Sequence, residues 1–220
     1  MLKYVREDEE AVLKMPQNLS AYIRLSGTPF VIAREQSHNN LDFDATDAAL
    51  KEEGLFMPSP AIFMPYRNQV IKAAIGDVRL CDGTGKMLTK EEAKDVAKPL
   101  TAHCQAWLYA IFADQQGKTL ITYNRIKNKD TIEEVTEALQ LERNITDGSL
   151  VDLVFNEQGM PVRKSREKEY HIYYNIYFCF PLDGSVAGFS AVTDGACLSC
   201  GGGRRVSDSA LGVFACAAGA

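Results

Sequence analysis

The chain has 220 residues, 46% of them hydrophobic and 24% charged, with a formal net charge of -5. This composition suits one large domain or two small ones with a buried core, and it argues against disorder. The acidic balance argues against a dedicated double-stranded nucleic-acid binder, whose affinity comes from neutralising phosphates. No run approaches the roughly 18 to 20 apolar residues that span a bilayer, and acids at positions 7 to 10 fall where an export signal needs apolar residues. A cytoplasmic or virion location is expected, with no membrane contact, and the six cysteines read as thiols or metal ligands.

Along the chain, residues 2–15 have a fair amphipathic spacing that predicts a helix stopped by Pro16. Residues 21–33 read as extended segments broken at Ser26-Gly27-Thr28-Pro29. A short helix over 46–53, capped by Asp44 or Thr46, is closed by Gly54. Pro58, Pro60 and Pro65 predict a loop or sheet edge. Two Thr-x-x-Glu capping boxes, Thr89 to Glu92 and Thr131 to Glu134, predict helix starts. The first helix should end before Pro99, and the second should reach about Arg143 with Ile132, Val135, Ala138, Leu139 and Leu141 as its apolar stripe. Between them, residues 105–113 and 119–126 predict a buried hairpin.

Strands dominate the remainder. Residues 149–155 alternate with Val151, Leu153 and Phe155 inward, and Asn156-Glu157-Gln158-Gly159 is a turn. Residues 169–180 read as one strand. Tyr170, Ile172, Tyr174, Ile176, Phe178 and Phe180 fall on its core face, and His171, Tyr173, Asn175, Tyr177 and Cys179 on the other. Asp183-Gly184 and Asp194-Gly195 predict type I′ hairpins in a meander. Residues 183–220 hold 8 of the 16 glycines and only five charges. The expected architecture is a β-rich α+β fold, an antiparallel sheet, barrel or sandwich with two or three short helices. Its main domain is 1–182, and 183–220 form a Gly/Ala-rich hairpin and arm.

Three constellations suggest chemistry. The basic run Arg163, Lys164, Arg166 and Lys168 precedes the polar aromatic face of His171, Tyr173, Asn175 and Tyr177, together a candidate binding surface. Rings there can stack on bases while cations follow phosphates, and tyrosine and arginine are also enriched at protein interfaces. Second, Cys197-Leu198-Ser199-Cys200, followed by three glycines, has the spacing of half a zinc site, with Cys216 a third ligand and Cys81 a distant fourth. The 197–203 and 81–85 stretches resemble the Cys-x-x-Cys-x-Gly-x-Gly repeat of chaperone zinc modules over those few residues. The leading cysteine is missing from the 81–85 copy, and no function follows. Third, His103-Cys104 would face opposite sides of a strand, and the remaining histidines, His38 and His171, are isolated in sequence.

Other motifs carry less. Asp42, Asp44 and Asp47 suit a helix start, and Gly83-Thr84-Gly85-Lys86 lacks the leading glycine and hydroxyl residue of a phosphate loop. The function expected first is therefore a non-enzymatic structural or assembly subunit making protein contacts in a homo- or hetero-oligomer, such as a component of a virus particle. The alternative is a single-stranded nucleic-acid binding protein. A third reading is a hydrolase or transferase whose residues converge only in the folded chain.

Overall fold

The computed structural model describes residues 3–6, 9–128 and 131–219. The strands are β1 (Lys3–Arg6), β2 (Glu9–Val12), β3 (Tyr22–Arg24), β4 (Phe30–Ala33), β5 (Cys81–Asp82), β6 (Cys104–Gln115), β7 (Lys118–Asn128), β8 (Thr131–Ala138), β9 (Ser149–Asp152), β10 (Asn175–Cys179), β11 (Val186–Val192), β12 (Gly195–Gly202), β13 (Leu211–Gly212) and β14 (Cys216–Ala218). The helices are α1 (Phe43–Glu53), α2 (Pro60–Ile75) and α3 (Lys90–Thr101). A ten-stranded sheet runs β2-β1-β8-β7-β6-β11-β12-β10-β9 with β13 added beside β6, and a four-stranded sheet runs β14-β4-β3-β5. The chain is thus a sheet-dominated α+β fold. The large sheet is not a closed barrel and is mixed rather than antiparallel, because β1 with β8, β10 with β12 and β13 with β6 pair parallel. No helix of the described residues is long and apolar enough to cross a membrane.

Strand β6 explains why there are two cores. Its side chains alternate across the sheet. Ala106, Leu108, Ala110 and Phe112 join the main core with α2 and α3, while Trp107, Tyr109 and Ile111 join a second cluster with Phe43 of α1, Leu211 and Val213. In the main core Phe63 of α2 lies 5.2 Å from Phe189 and 5.7 Å from Phe214, ring centre to ring centre. In the second, Phe43 stands edge-on to Trp107 at 5.8 Å.

Helix ends follow local chemistry. At α1, Asp42 rather than Asp44 or Thr46 is the cap, accepting the Ala45 N–H at 2.8 Å, and Gly54 closes the helix in the left-handed region at φ 75°. At α3 both capping-box hydrogen bonds form between Thr89 and Glu92, and the helix runs past Pro99 to Thr101.

Several expectations are corrected. Within 2–15, where positions 2, 7 and 8 lie outside the described residues, 3–6 and 9–12 pair antiparallel as β1 and β2 and form no helix. Pro58 stands outside any helix, but Pro60 and Pro65 lie in α2: Pro60 opens it at a position whose N–H would have no helical partner, and the ring of Pro65 faces solvent, where water can satisfy the carbonyl it strands. Residues 131–138 form β8, not a helix. Its Glu133 meets Arg125 at 3.0 Å and Lys127 at 2.8 Å on β7, and Thr122 bonds Thr136, so cross-strand pairing overrides the capping signature. The predicted strand over 169–180 is a strand only from Asn175 to Cys179, and 171–174 is a turn. Asp183-Gly184 is a turn, but the strands flanking it, β10 and β11, do not pair. At the second Asp-Gly the Val192↔Gly195 register makes Thr193 and Asp194 the turn, neither at positive φ, so it is not type I′. Positive φ at both central positions occurs at Gln116 and Gly117 of the β6–β7 hairpin.

Residues 183–220 supply β11 and β12 between β6 and β10, and residues 211–218 are all buried, with β14 paired to β4.

Candidate functional site

The predicted basic and aromatic residues lie on the return of the chain from β9 to β10. The 156–159 turn abuts the start of α2, and Gly159 allows it: a Cβ there would fall 2.2 Å from the Ala61 nitrogen. Residues 161–165 then run beside β9, with the Asp152 N–H donating to Arg163 O at 3.0 Å and the Ser165 N–H to Leu150 O at 2.8 Å. This places 163–174 across a cleft from Asn68, Ile71, Lys72 and Ile75 of α2. The cleft has a volume of about 600 Å³.

Asn175 fixes the far end of this return. It is wholly buried, accepts the His171 N–H at 2.7 Å and donates to Glu169 O at 3.1 Å, closing the 171–174 turn. The turn pushes its rings outward. His171 stacks on Tyr174 at 4.4 Å, and Tyr173 and Tyr174, 39% and 63% exposed, line the cleft. Tyr177, 37% exposed, stacks on Tyr170 at 6.0 Å.

Three of the predicted residues, Arg163, Arg166 and Tyr173, therefore meet in one cleft. Lys164 makes a backbone bridge to Val151 and, like Lys168 and Tyr177, is exposed outside the cleft lining. His171 supports Tyr174 from behind. Asn175 is corrected from a surface contact to a buried brace, because the turn ends the alternation that would have exposed it. Tyr174, assigned to the core face, is instead the most open ring of the cleft, for the same reason. Lys72 and Asn68 carry no sequence signal of a site, because the prolines predict a loop where α2 forms.

The charges of the cleft are balanced. Lys72, Arg163 and Arg166 stand with Asp77, Asp152 and Glu167, and Arg163 Nε is 2.5 Å from Asp152 Oδ2. One helix position before Asn68 lies the wholly buried Arg67, its guanidinium 5.6 Å from the ring centre of Phe189. Burial lowers its pKa, and neighbouring Tyr170 works in the opposite direction.

The cysteines disperse. Cys197 and Cys200, three positions apart on β12, face opposite sides of the sheet; Cys200 is buried, and Cys216 lies in the other sheet. Cys197 Sγ is instead 3.2 Å from Cys179 Sγ. Burial pushes the Cys200 and Cys216 thiols well up and that of Cys104 to about 12. Among the described residues no group of three or more His, Cys, Asp or Glu is placed to hold a metal ion.

No protein-family model, curated protein or solved structure matches the chain.

Proposed function

We propose that the chain is a binding protein that takes single-stranded nucleic acid in the cleft between α2 and residues 163–174. The supporting observation is the convergence of two exposed tyrosines, Tyr173 and Tyr174, with Lys72, Arg163 and Arg166 on one groove. Every base has a π-face, so stacking on such rings is tolerant of sequence and is worth about 1–3 kcal/mol per base. The cations track the backbone. Because acids offset them, stacking carries more of the affinity than charge, and the salt dependence is shallow.

The test is fluorescence anisotropy of a labelled oligothymidylate titrated at several salt concentrations. Tyr173→Ala and Tyr174→Ala each weaken binding by about 1–3 kcal/mol. Arg166→Ala reduces the logarithmic salt slope by about 0.7, the value for one single-strand phosphate contact. An oligonucleotide that does not bind, or binds equally to these variants, rules the reading out.

The assembly-subunit reading, with other copies or other proteins as partners and a virus particle as one setting, is favoured by a separate observation. Strand β2 is the outer strand of the large sheet, with Val12 47% exposed, and an unpaired strand edge is a template for another chain. Particle mass by light scattering decides it. A discrete oligomer supports assembly, and a lone 24.3 kDa species does not.

A further inference from the structure

A second cavity, of about 540 Å³, opens where β3 and β4 meet the end of α1. Its polar lining includes Arg34, Ser37, His38 and Glu53. Ser37 Oγ is 2.8 Å from His38 Nδ1, and His38 Nε2 is 3.2 Å from Glu53 Oε1. We propose that this cavity is an active site that hydrolyses small esters or thioesters, with Ser37 as nucleophile, His38 as general base and Glu53 as the group that orients His38.

The hydrogen-bond chain has only one reading that activates the serine. An ionised carboxylate can only accept, so Glu53 selects the imidazole tautomer that carries its hydrogen on Nε2. Nδ1 is then left bare and accepts the Ser37 hydroxyl hydrogen. The nucleophile, its base and the base's orienting group therefore stand in the order that acyl transfer requires, although the ring nitrogens exchange their more familiar parts.

Two further observations point to the same place. His38 sits in the left-handed region at φ 57°, a conformation that costs a residue with a Cβ about 1–3 kcal/mol and collects at functional sites. It is held there by its neighbour: the Ser37 N–H donates to Val213 O and the Val213 N–H to Ser37 O, both at 2.9 Å. Arg34 supplies the wall's cation, and its Nε is buried without a hydrogen-bond partner among the described residues. The guanidinium, its Nη2 3.9 Å from Asp82 Oδ2, puts positive charge on the wall of the cavity in which an oxyanion would develop. Beside Tyr22, the apolar lining of Ala21, Ala33, Leu55 and Ala215 is made mostly of small side chains and suits a short acyl group.

The step balances without a cofactor. Ser37 Oγ attacks the acyl carbon and its proton passes to His38 Nδ1. The bond from carbon to the leaving oxygen or sulfur breaks, and the leaving group takes that proton as an alcohol or thiol. Water then attacks the acyl-serine and gives a proton to Nδ1, which returns it to Ser37 Oγ as the carboxylic acid departs.

The experiment treats the full chain with an alkyl fluorophosphonate, maps the adduct by mass spectrometry, and follows p-nitrophenyl acetate hydrolysis. The expected adduct is on Ser37, and Ser37→Ala abolishes both labelling and turnover. His38→Gln slows turnover by about 10²–10⁴-fold. Glu53→Gln lowers kcat with KM unchanged, a split that a loss of fold would not produce. Tyr173→Ala, in the other cleft, leaves hydrolysis unchanged, so failure here and failure of oligonucleotide binding are told apart. A folded wild-type protein left unlabelled at Ser37, or turnover that survives Ser37→Ala, overturns the assignment.

Discussion

Asn175 is wholly buried within a few residues of the exposed rings it positions. Its side chain satisfies one backbone donor and one backbone acceptor of the 169–175 return, and such buried groups cost about 1–3 kcal/mol each when left unpaired. Asn175→Ala should therefore lower stability by an amount in that range in a urea melt. It should also weaken oligonucleotide binding more than its loss of stability alone predicts, because Tyr173 and Tyr174 lose their fixed orientation. Equal affinity for the two proteins would show that the turn does not depend on Asn175. The same residue marks the limit of reading by alternation. Tyr173, Arg163 and Arg166 were legible as surface groups because aromatic and basic residues cluster there in sequence. The inversion of Tyr174 and Asn175 was not, because a turn that breaks the period of two depends on one amide reaching back to His171. His38 and Glu53, fifteen positions apart, carried no sequence signal at all, since only the closure of α1 beside β4 brings them together.

Short elements show which local signals survive tertiary packing. Thr89 and Thr131 begin the same four-residue pattern, yet only the first starts a helix. The residues after Thr89 are helix formers without an opposing strand, whereas Ile132, Val135 and Thr136 are β-branched and pair with Ile126, Tyr123 and Thr122 of β7 across the ladder. The 82–86 turn has a comparable local cause. Asp82 Oδ1 accepts the Thr84 and Lys86 N–H groups at 2.9 and 3.0 Å and the Thr84 hydroxyl at 2.6 Å. Burial works to raise the Asp82 pKa, but these donors and nearby Arg34 outweigh it, and the net shift is downward. A depressed folded-state value means that the ion's contribution is present above the unfolded value of about 3.9 and is lost as pH falls through the folded one. Urea midpoints of the wild type should therefore exceed those of Asp82→Asn at pH 6, and the two curves should converge on acidification below pH of about 3.9. Parallel curves would show that Asp82 stays neutral or unpaired.

For the molecule as a whole, the hairpin β6–β7 and the helices α1 and α3 were visible in hydrophobic period and turn chemistry, and the β11–β12 pair was visible without its turn type. The order of strands was not. Nothing in a local pattern says that β1 pairs parallel with β8, or that β13 lies against β6, because such pairings are chosen by which apolar faces remain to be covered. The 211–218 segment shows how much is at stake, with Val213, Phe214, Cys216 and Ala217 all wholly buried. Losing Phe214 alone costs about 3–5 kcal/mol, against a total stability of about 5–15 kcal/mol for a typical domain. Truncation after Ala210 should abolish the cooperative thermal transition followed by circular dichroism. A truncated chain that melts as sharply as the full one would show that the two cores stand without it.

Strand β4 has one neighbour, β3, close by in the chain and the other, β14, almost at the opposite end of it. Until β14 is made, the apolar run Phe30, Val31 and Ile32 has an open flank. Closing it must wait for a loop of nearly the whole polypeptide, an entropic toll that slows assembly of this part of the molecule. During synthesis on the ribosome, that flank is where a chaperone would find its first foothold.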